Sequence, residues 1–307
     1  MTRVTDYSQS QLTLFFLQNL QKQMTDTQNQ ISTGLVSQDY AGLGADTSRL
    51  VNLQSAEARV SQYTTTAQTV NQRLTSMESA TGQLFTIASN LQKLLVNGLN
   101  AQSASDLNLN QQATDMLTQV QGILNTQLDG TYLFGGTATD KPPVDVSAAG
   151  FAPPPTVYPT TADTGYYQGN DTKLSARVDD NYDLTYGITA NEPGFEQLIR
   201  SLRLAATTNV GPPSDTNRLN EALGVVQQAI QNIPDITSQI GSAQAAMQTV
   251  QAKQTDFKQF ADKTIGDLSN VDVTQAVTKL TEQQTTLQAS YQVVARLSQL
   301  NLAQYLH

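Results

Sequence analysis

The chain contains no cysteine and no tryptophan, and its only histidine is the final residue, His307. Without thiols there is no disulfide, no thiolate nucleophile and no zinc–thiolate site. A single terminal histidine leaves a Ser-His-Asp arrangement or an imidazole metal centre without its central group. Charge is also scarce. Charged residues make up 14% of the 307 residues, against roughly 25% in an average soluble protein. The net charge of −9 offers no basic face, so neither nucleic acid nor an anionic membrane is expected as a partner. No apolar run approaches the ~18 residues of a membrane span. The stretch Leu12 to Leu17, interrupted by Thr13, is shorter than the roughly 7–15-residue core of a secretory signal. If the protein leaves the cell, it is expected to do so uncleaved and by another route.

Glutamine, threonine, serine and asparagine fill the space that charge leaves. Neutral polar surface of this kind resembles the charge-depleted interior of protein interfaces. Laid over it is a strong helical periodicity. At alternating spacings of three and four, Leu53, Ala56, Val60, Tyr63, Ala67, Val70, Leu74, Met77, Thr81, Leu84, Ala88, Leu91 and Leu95 form one seam. Twelve of these thirteen positions are apolar and no proline interrupts them, which predicts one long helix packed at coiled-coil angles. A second helix is predicted from Leu109 through Ile123, ending near Gly130. Downstream, Leu219, Ala222, Val226, Ala229, Ile233, Ile236, Ile240, Ala243, Met247 and Val250 continue through Phe257 and Ala261 to Leu268. Pro234 lies inside this run and is expected to kink it or restart it. Asp215, after Pro212 and Pro213, is a candidate N-cap.

Residues 131–191 differ in character, holding six of the ten prolines. Lys173–Val178 and Tyr182–Ile188, around Asp179-Asp180-Asn181, read as two strands and a tight turn. A short helix, Phe195 to Ala206, leads back. The expected architecture is mainly α: a long coiled-coil-like bundle formed by the N- and C-terminal halves, with a small β-rich insert at its tip. The divisions are a terminal assembly helix over 1–44, one half of the bundle over 45–130 and the insert over 131–191. The other half follows over 192–269, and a second assembly helix over 270–307.

The two ends carry their own seams. Leu17, Leu20, Met24, Thr27 and Ile31 repeat near the start. Val273, Val277, Leu280, Gln284, Leu287, Tyr291 and Val294 repeat near the end, followed by Leu297, Leu300, Leu302 and Leu306. The inner helices suffice for a core among themselves. A lone end pair so rich in Gln and Thr buries little and is marginal in water, so the ends are expected to order on neighbours. Leu17, Leu20, Met24 and Ile31, with Val277, Leu280, Leu287, Tyr291, Val294, Leu297 and Leu300, are therefore the candidate assembly residues.

Other motifs have plainer readings. Asp179, Asn181 and Asp183 have the opening spacing of a calcium loop, but Leu184 and Ala190 stand where glycine and glutamate are needed, so a hairpin turn is expected. Gly135-Gly136-Thr137 lacks the Lys-Ser/Thr of a phosphate loop. Tyr132, Tyr166 and Tyr167 read as packing. No carboxylate pair is placed with a nucleophile or base, and neither catalysis, a cofactor nor a metal is expected.

Several segments resemble the flagellin family. They are Gln30-Ile31-Ser32-Thr33-Gly34 with Tyr40-Ala41-Gly42-Leu43-Gly44, Asp129-Gly130-Thr131-Tyr132-Leu133-Phe134-Gly135-Gly136-Thr137, and Tyr166 through Asp171. The ending Ala295 through Leu306 is similar to that of the family's hook–filament junction branch, and only residues 138–165 lack a counterpart. The resemblance implies a flagellar structural subunit exported unfolded by the flagellar type III apparatus, outside the cell, with terminal helices in an inner tube. It implies as partners other copies in a ring, hook-associated protein 1, flagellin and an export chaperone. A filament-forming flagellin is the other reading the resemblance allows.

Overall fold

A computed structural model describes residues 2–100, 108–151, 154, 156–209 and 215–305, with side chains described between 11 and 296. The chain is mainly helical, with two small antiparallel sheets. In order the elements are α1 (Thr2–Thr33), a 3-10 segment (Tyr40–Asp46), α2 (Thr47–Asn100) and α3 (Leu109–Leu124). Then come strands β1 (Gln127–Leu128), β2 (Thr131–Tyr132), β3 (Leu174–Asp179) and β4 (Tyr182–Tyr186), and helices α4 (Pro193–Ala206), α5 (Thr216–Ser269) and α6 (Val273–Tyr305). Contacts divide the chain into two compact units: Met1–Arg59 with Asp256–His307, and Val60–Thr255.

The Val60–Thr255 unit holds a continuous core. The α2 seam from Ala67 to Leu95 is buried at every heptad position, as are Leu219, Ala222, Val226, Ala229, Ile233, Ile236 and Ile240 on α5. Leu109, Ala113, Val120 and Leu124 of α3 join them, with Phe195, Leu198, Ile199 and Leu202 of α4. Full burial of each such aliphatic side chain is worth about 1.5–3 kcal/mol. The polar seam positions are satisfied locally. Thr81 donates to the Met77 carbonyl at 2.8 Å. Gln254 Nε2 donates to the Val178 carbonyl at 2.8 Å while its Oε1 accepts from Thr64 at 3.0 Å. That glutamine, with Tyr63 donating to Asp180 Oδ1 at 3.0 Å, ties the β3–β4 hairpin to both long helices.

Helix ends follow local chemistry. Asp215 caps α5, its Oδ1 accepting from the Arg218 amide at 3.1 Å; Pro212 and Pro213 lie outside the described residues. Pro234 does not end α5, which runs through it as one helix. Pro234 itself is exposed, so its ring lies on the outer side of the helix. Helix α3 stops at Leu124, directly after the last seam residue Ile123 and before the expected end near Gly130. Asp129 and Gly130 adopt φ of 51° and 75°, the left-handed pair of a two-residue hairpin turn, and β1–β2 forms instead. Arg73 of α2 reaches this hairpin, donating to Thr131 Oγ1 at 2.7 Å and to the Tyr132 carbonyl at 3.1 Å.

The insert packs on aromatic residues. Phe134 meets Phe195 edge-on at 5.9 Å and Phe151 meets Tyr166 at 5.2 Å. Tyr166 is fully buried and donates to the Ala190 carbonyl at 3.0 Å, the packing role its sequence context suggests. Glu196 is buried on α4, paired with Arg200 at 2.9 Å, and accepts from the Asp163 amide at 3.0 Å. Arg200 also donates to the Thr160 carbonyl at 2.9 Å, fixing the proline-rich loop to α4. The Gly135-Gly136 pair is explained by close backbone approach. Gly136 has φ of 67°, and a Cβ there would lie 2.2 Å from the Asn170 carbonyl oxygen.

Candidate functional site

Most of the exposed large apolar side chains lie in the other unit, and the greater number of those are on the terminal helices. Backbone bonds set their geometry: Val36 N donates to the Ser269 carbonyl and Val271 N to the Gly34 carbonyl, each at 2.8 Å, around an antiparallel bridge of Leu35 with Asn270. Helix α1 leads into this bridge and α6 leads away from it, so the two run side by side in opposite directions. Asp272 starts α6 by accepting from the Thr274 and Gln275 amides at 2.9 and 3.1 Å. Farther along, Gln21 Nε2 donates to the Tyr291 hydroxyl at 2.7 Å. The ends, expected to order only on neighbours, are here helical and paired with each other.

Their mutual burial is thin. On α1, Leu17, Leu20 and Thr27 are buried and Met24 and Ile31 half-buried. On α6 the buried positions are Ala276 and Gln283, with Leu280, Leu287 and Val294 half-buried. Val277 and Tyr291 lie on the neighbouring face at 46% and 48% exposure, beside Val273 and Val293 at 48% and 56%. On α1, Leu12, Leu14, Phe15 and Phe16 are each more than half exposed. The side chains of Leu297 and Leu300 lie outside the described residues. Ala276 and Gln283 were not legible as seam positions, because the larger Val277 and the neighbouring Gln284 complete an equally regular stripe with Leu280, Leu287 and Val294.

The polar residues of this pair suit burial. Thr25, Thr27 and Thr33 on α1 donate their hydroxyls to carbonyls four residues earlier, as do Thr278, Thr281, Thr285, Thr286 and Ser290 on α6. A hydroxyl whose proton is already committed to its own helix loses little when an outside surface displaces water from it, because the cost of burial falls on unpaired donors. A second apolar surface lies on α2 and α5 within the same unit, a groove of about 580 Å³ lined by Leu53, Ala56, Phe257 and Phe260. Phe260 is 58% exposed there. Among the described residues no group of three or more His, Cys, Asp or Glu is placed to hold a metal ion. No described helix is long and apolar enough to cross a membrane.

Fold and surface together define a long-helix protein whose two ends pair with each other and expose large apolar side chains. Residues 4–139 match the profile of the bacterial flagellin N-terminal helical region, and residues 223–306 that of the bacterial flagellin C-terminal helical region. The chain belongs to the flagellin family, a family of structural proteins of the bacterial flagellum. Curated relatives include flagellar hook-associated protein 3 of Escherichia coli (strain K12), 23% identical over 289 residues and covering 84% of each chain. The protein of the same name from Salmonella typhimurium (strain LT2) is 21% identical over 318 residues, covering 93% of this chain and 94% of that one. Among solved structures, Bacillus cereus FlgL superposes with a TM-score of 0.55 at 19% identity, over 70% of this chain and 98% of that one. Flagellar hook-associated protein 3 from Legionella pneumophila gives 0.55 at 11% identity, over 70% and 98%. These two establish the shared fold.

Proposed function

We propose that this chain is the flagellar subunit between hook and filament, a mechanical junction required for filament assembly and motility. The observation that carries the assembly role is the terminal pair, which buries only part of each helix and leaves large apolar side chains exposed on both, among polar residues of which eight hydroxyls donate within their own helix. The likeness over nearly the full length of the hook-associated relatives supports the junction as its place. Its partners are then copies of itself in a ring, hook-associated protein 1 on the hook side and flagellin on the filament side. An export chaperone would cover the ends on the way out of the cell, where the subunit is assembled extracellularly.

Deletion of the gene tests this. Hooks should remain while unassembled flagellin accumulates in the medium. Hooks bearing normal filaments would overturn the junction role, and loss of the filament protein itself would make the chain the filament subunit. Leu20→Asp and Leu287→Asp should each block filament formation while leaving the thermal unfolding of the Val60–Thr255 unit in place, since each puts a charge into the terminal pair alone. Normal filaments with either variant would remove the terminal seams from the assembly surface.

A further inference from the structure

Arg73 of α2 is a cation buried without an anion. It is 8% exposed, directly before the seam residue Leu74, and none of the ion pairs among the described residues involves it. Its terminal nitrogens donate to neutral acceptors of the β1–β2 hairpin, Thr131 Oγ1 and the Tyr132 carbonyl. Its buried Nε has no hydrogen-bond partner in the protein. The contrast within the same unit is Arg200, whose Nε and Nη2 meet the two oxygens of Glu196 at 2.9 and 3.2 Å. A buried cation lacking such a partner keeps its desolvation penalty uncompensated, and an unsatisfied N–H adds to it.

A cavity of about 90 Å³ lies where β4 meets α2 and α5, and its lining includes Leu74, Lys173, Thr185, Tyr186, Gln239 and Ile240. No carboxylate lines it, while Lys173, Thr185, Tyr186 and Gln239 all bring N–H or O–H donors. Lys173 spends its charge on Glu192 at 3.2 Å, so one carboxylate answers only one of the two cations. Burial pushes the Tyr186 hydroxyl up, and the Arg73 guanidinium pulls against that rise, so the two are close enough to act on a shared charge. In a chain of net charge −9 this is a locally positive, donor-rich recess. One water takes about 10–15 Å³ of such a cavity, which leaves room for a small ion with some of its hydration and none for a bulky organic anion.

We propose that this cavity binds one small inorganic anion, chloride in an ordinary salt medium, held by the donors of Tyr186 and Lys173 and by the uncompensated charge of Arg73. The anion supplies the missing negative charge. It also joins the β3–β4 hairpin to α2 at the residue that already holds β1–β2. The proposal stands apart from the junction role, since every residue in it belongs to the Val60–Thr255 unit.

The test follows thermal unfolding of the full-length protein at constant ionic strength while chloride replaces gluconate. Raising chloride from about 10 to about 300 mM should lift the main transition by about 2–4 °C, the shift of a site half-filled at tens of millimolar. Tyr186→Phe, which removes one donor and keeps the ring, should cut that shift by about half or more, and Arg73→Met should abolish it. Crystals soaked in bromide should show an anomalous peak beside Tyr186. An unmoved transition in the wild type overturns the proposal, and so does an equal shift in Tyr186→Phe, which would mark a general salt effect. A missing bromide peak puts the ion elsewhere and overturns the assignment. A peak without a stability response means an adventitious ion only, which overturns it as well. If Arg73→Met does not fold, the comparison with Tyr186→Phe decides.

Discussion

Replacing Leu84 with alanine and, separately, Leu20 with alanine removes the same atoms from two buried sites with different neighbours. Leu84 is fully buried on α2 in the continuous core of the Val60–Thr255 unit. Leu20 is 7% exposed on α1 in the terminal pair. A core Leu→Ala change costs about 2–5 kcal/mol through lost transfer energy and the cavity left behind. For a unit the size of Val60–Thr255, each kcal/mol displaces the unfolding temperature by roughly 2–4 °C, so Leu84→Ala should lower the main calorimetric transition by roughly 4–20 °C. Leu20→Ala should leave that transition within about 1 °C, because its contacts belong to the terminal pair, and should instead speed amide exchange over residues 14–31. Differential scanning calorimetry with peptide-resolved hydrogen exchange measures both effects. A drop in the main transition for Leu20→Ala comparable to that of Leu84→Ala would refute the reasoning, because the terminal pair would then unfold with the core.

Further outcomes are expected within the Val60–Thr255 unit. Glu196→Ala leaves Arg200 and the Asp163 amide without their buried acceptor and should cost about 3–5 kcal/mol by urea denaturation; a loss below about 1 kcal/mol would mean the pair behaves as a surface one. Burial pushes the Tyr166 hydroxyl well above its usual range, with the Glu196 and Asp163 carboxylates adding to the effect. The folded form therefore holds its proton where the unfolded chain releases it. Stability should be full below pH about 10 and fall as pH rises through that value. Tyr166→Phe should flatten that alkaline slope while costing about 1–3 kcal/mol at neutral pH for the orphaned Ala190 carbonyl; an unaltered slope counts against Tyr166 as its source. Gly136→Ala, with its Cβ driven into the Asn170 carbonyl, should prevent the insert from folding as judged by near-ultraviolet circular dichroism. Gly82→Ala, in open space on α2, should instead stabilise by up to ~1 kcal/mol.

The long helices were legible because twelve apolar residues at helical spacing leave few alternatives, and even the polar exceptions Thr81 and Gln254 sit on the predicted face. Gly130 reads as the end of α3, although Asp129-Gly130 is also a hairpin-turn pair; the positive φ at both residues decides for the hairpin. Nothing in the sequence indicated that Gln254 would join Val178 to Thr64, or that Glu196 would hold the loop at Asp163. Such pairings depend on which distant backbone atoms arrive beside a side chain. On α6 the sequence supported two stripes that share Leu280, Leu287 and Val294. In the fold Ala276 and Gln283 are the buried positions, while Val277 and Tyr291 stay about half exposed, Tyr291 meeting Gln21 of α1 through its hydroxyl.

That contact also has a consequence in time. The contact between Gln21 and Tyr291 spans 270 residues of sequence, and chains are synthesised at about 5–20 residues per second. Residue 21 is therefore made roughly 14–54 s before its partner exists. Through that interval Leu17 and Leu20 have no α6 to lie against, and neither do the exposed Leu12, Phe15 and Phe16 beside them. The first part of the chain to be made is the last to find its place.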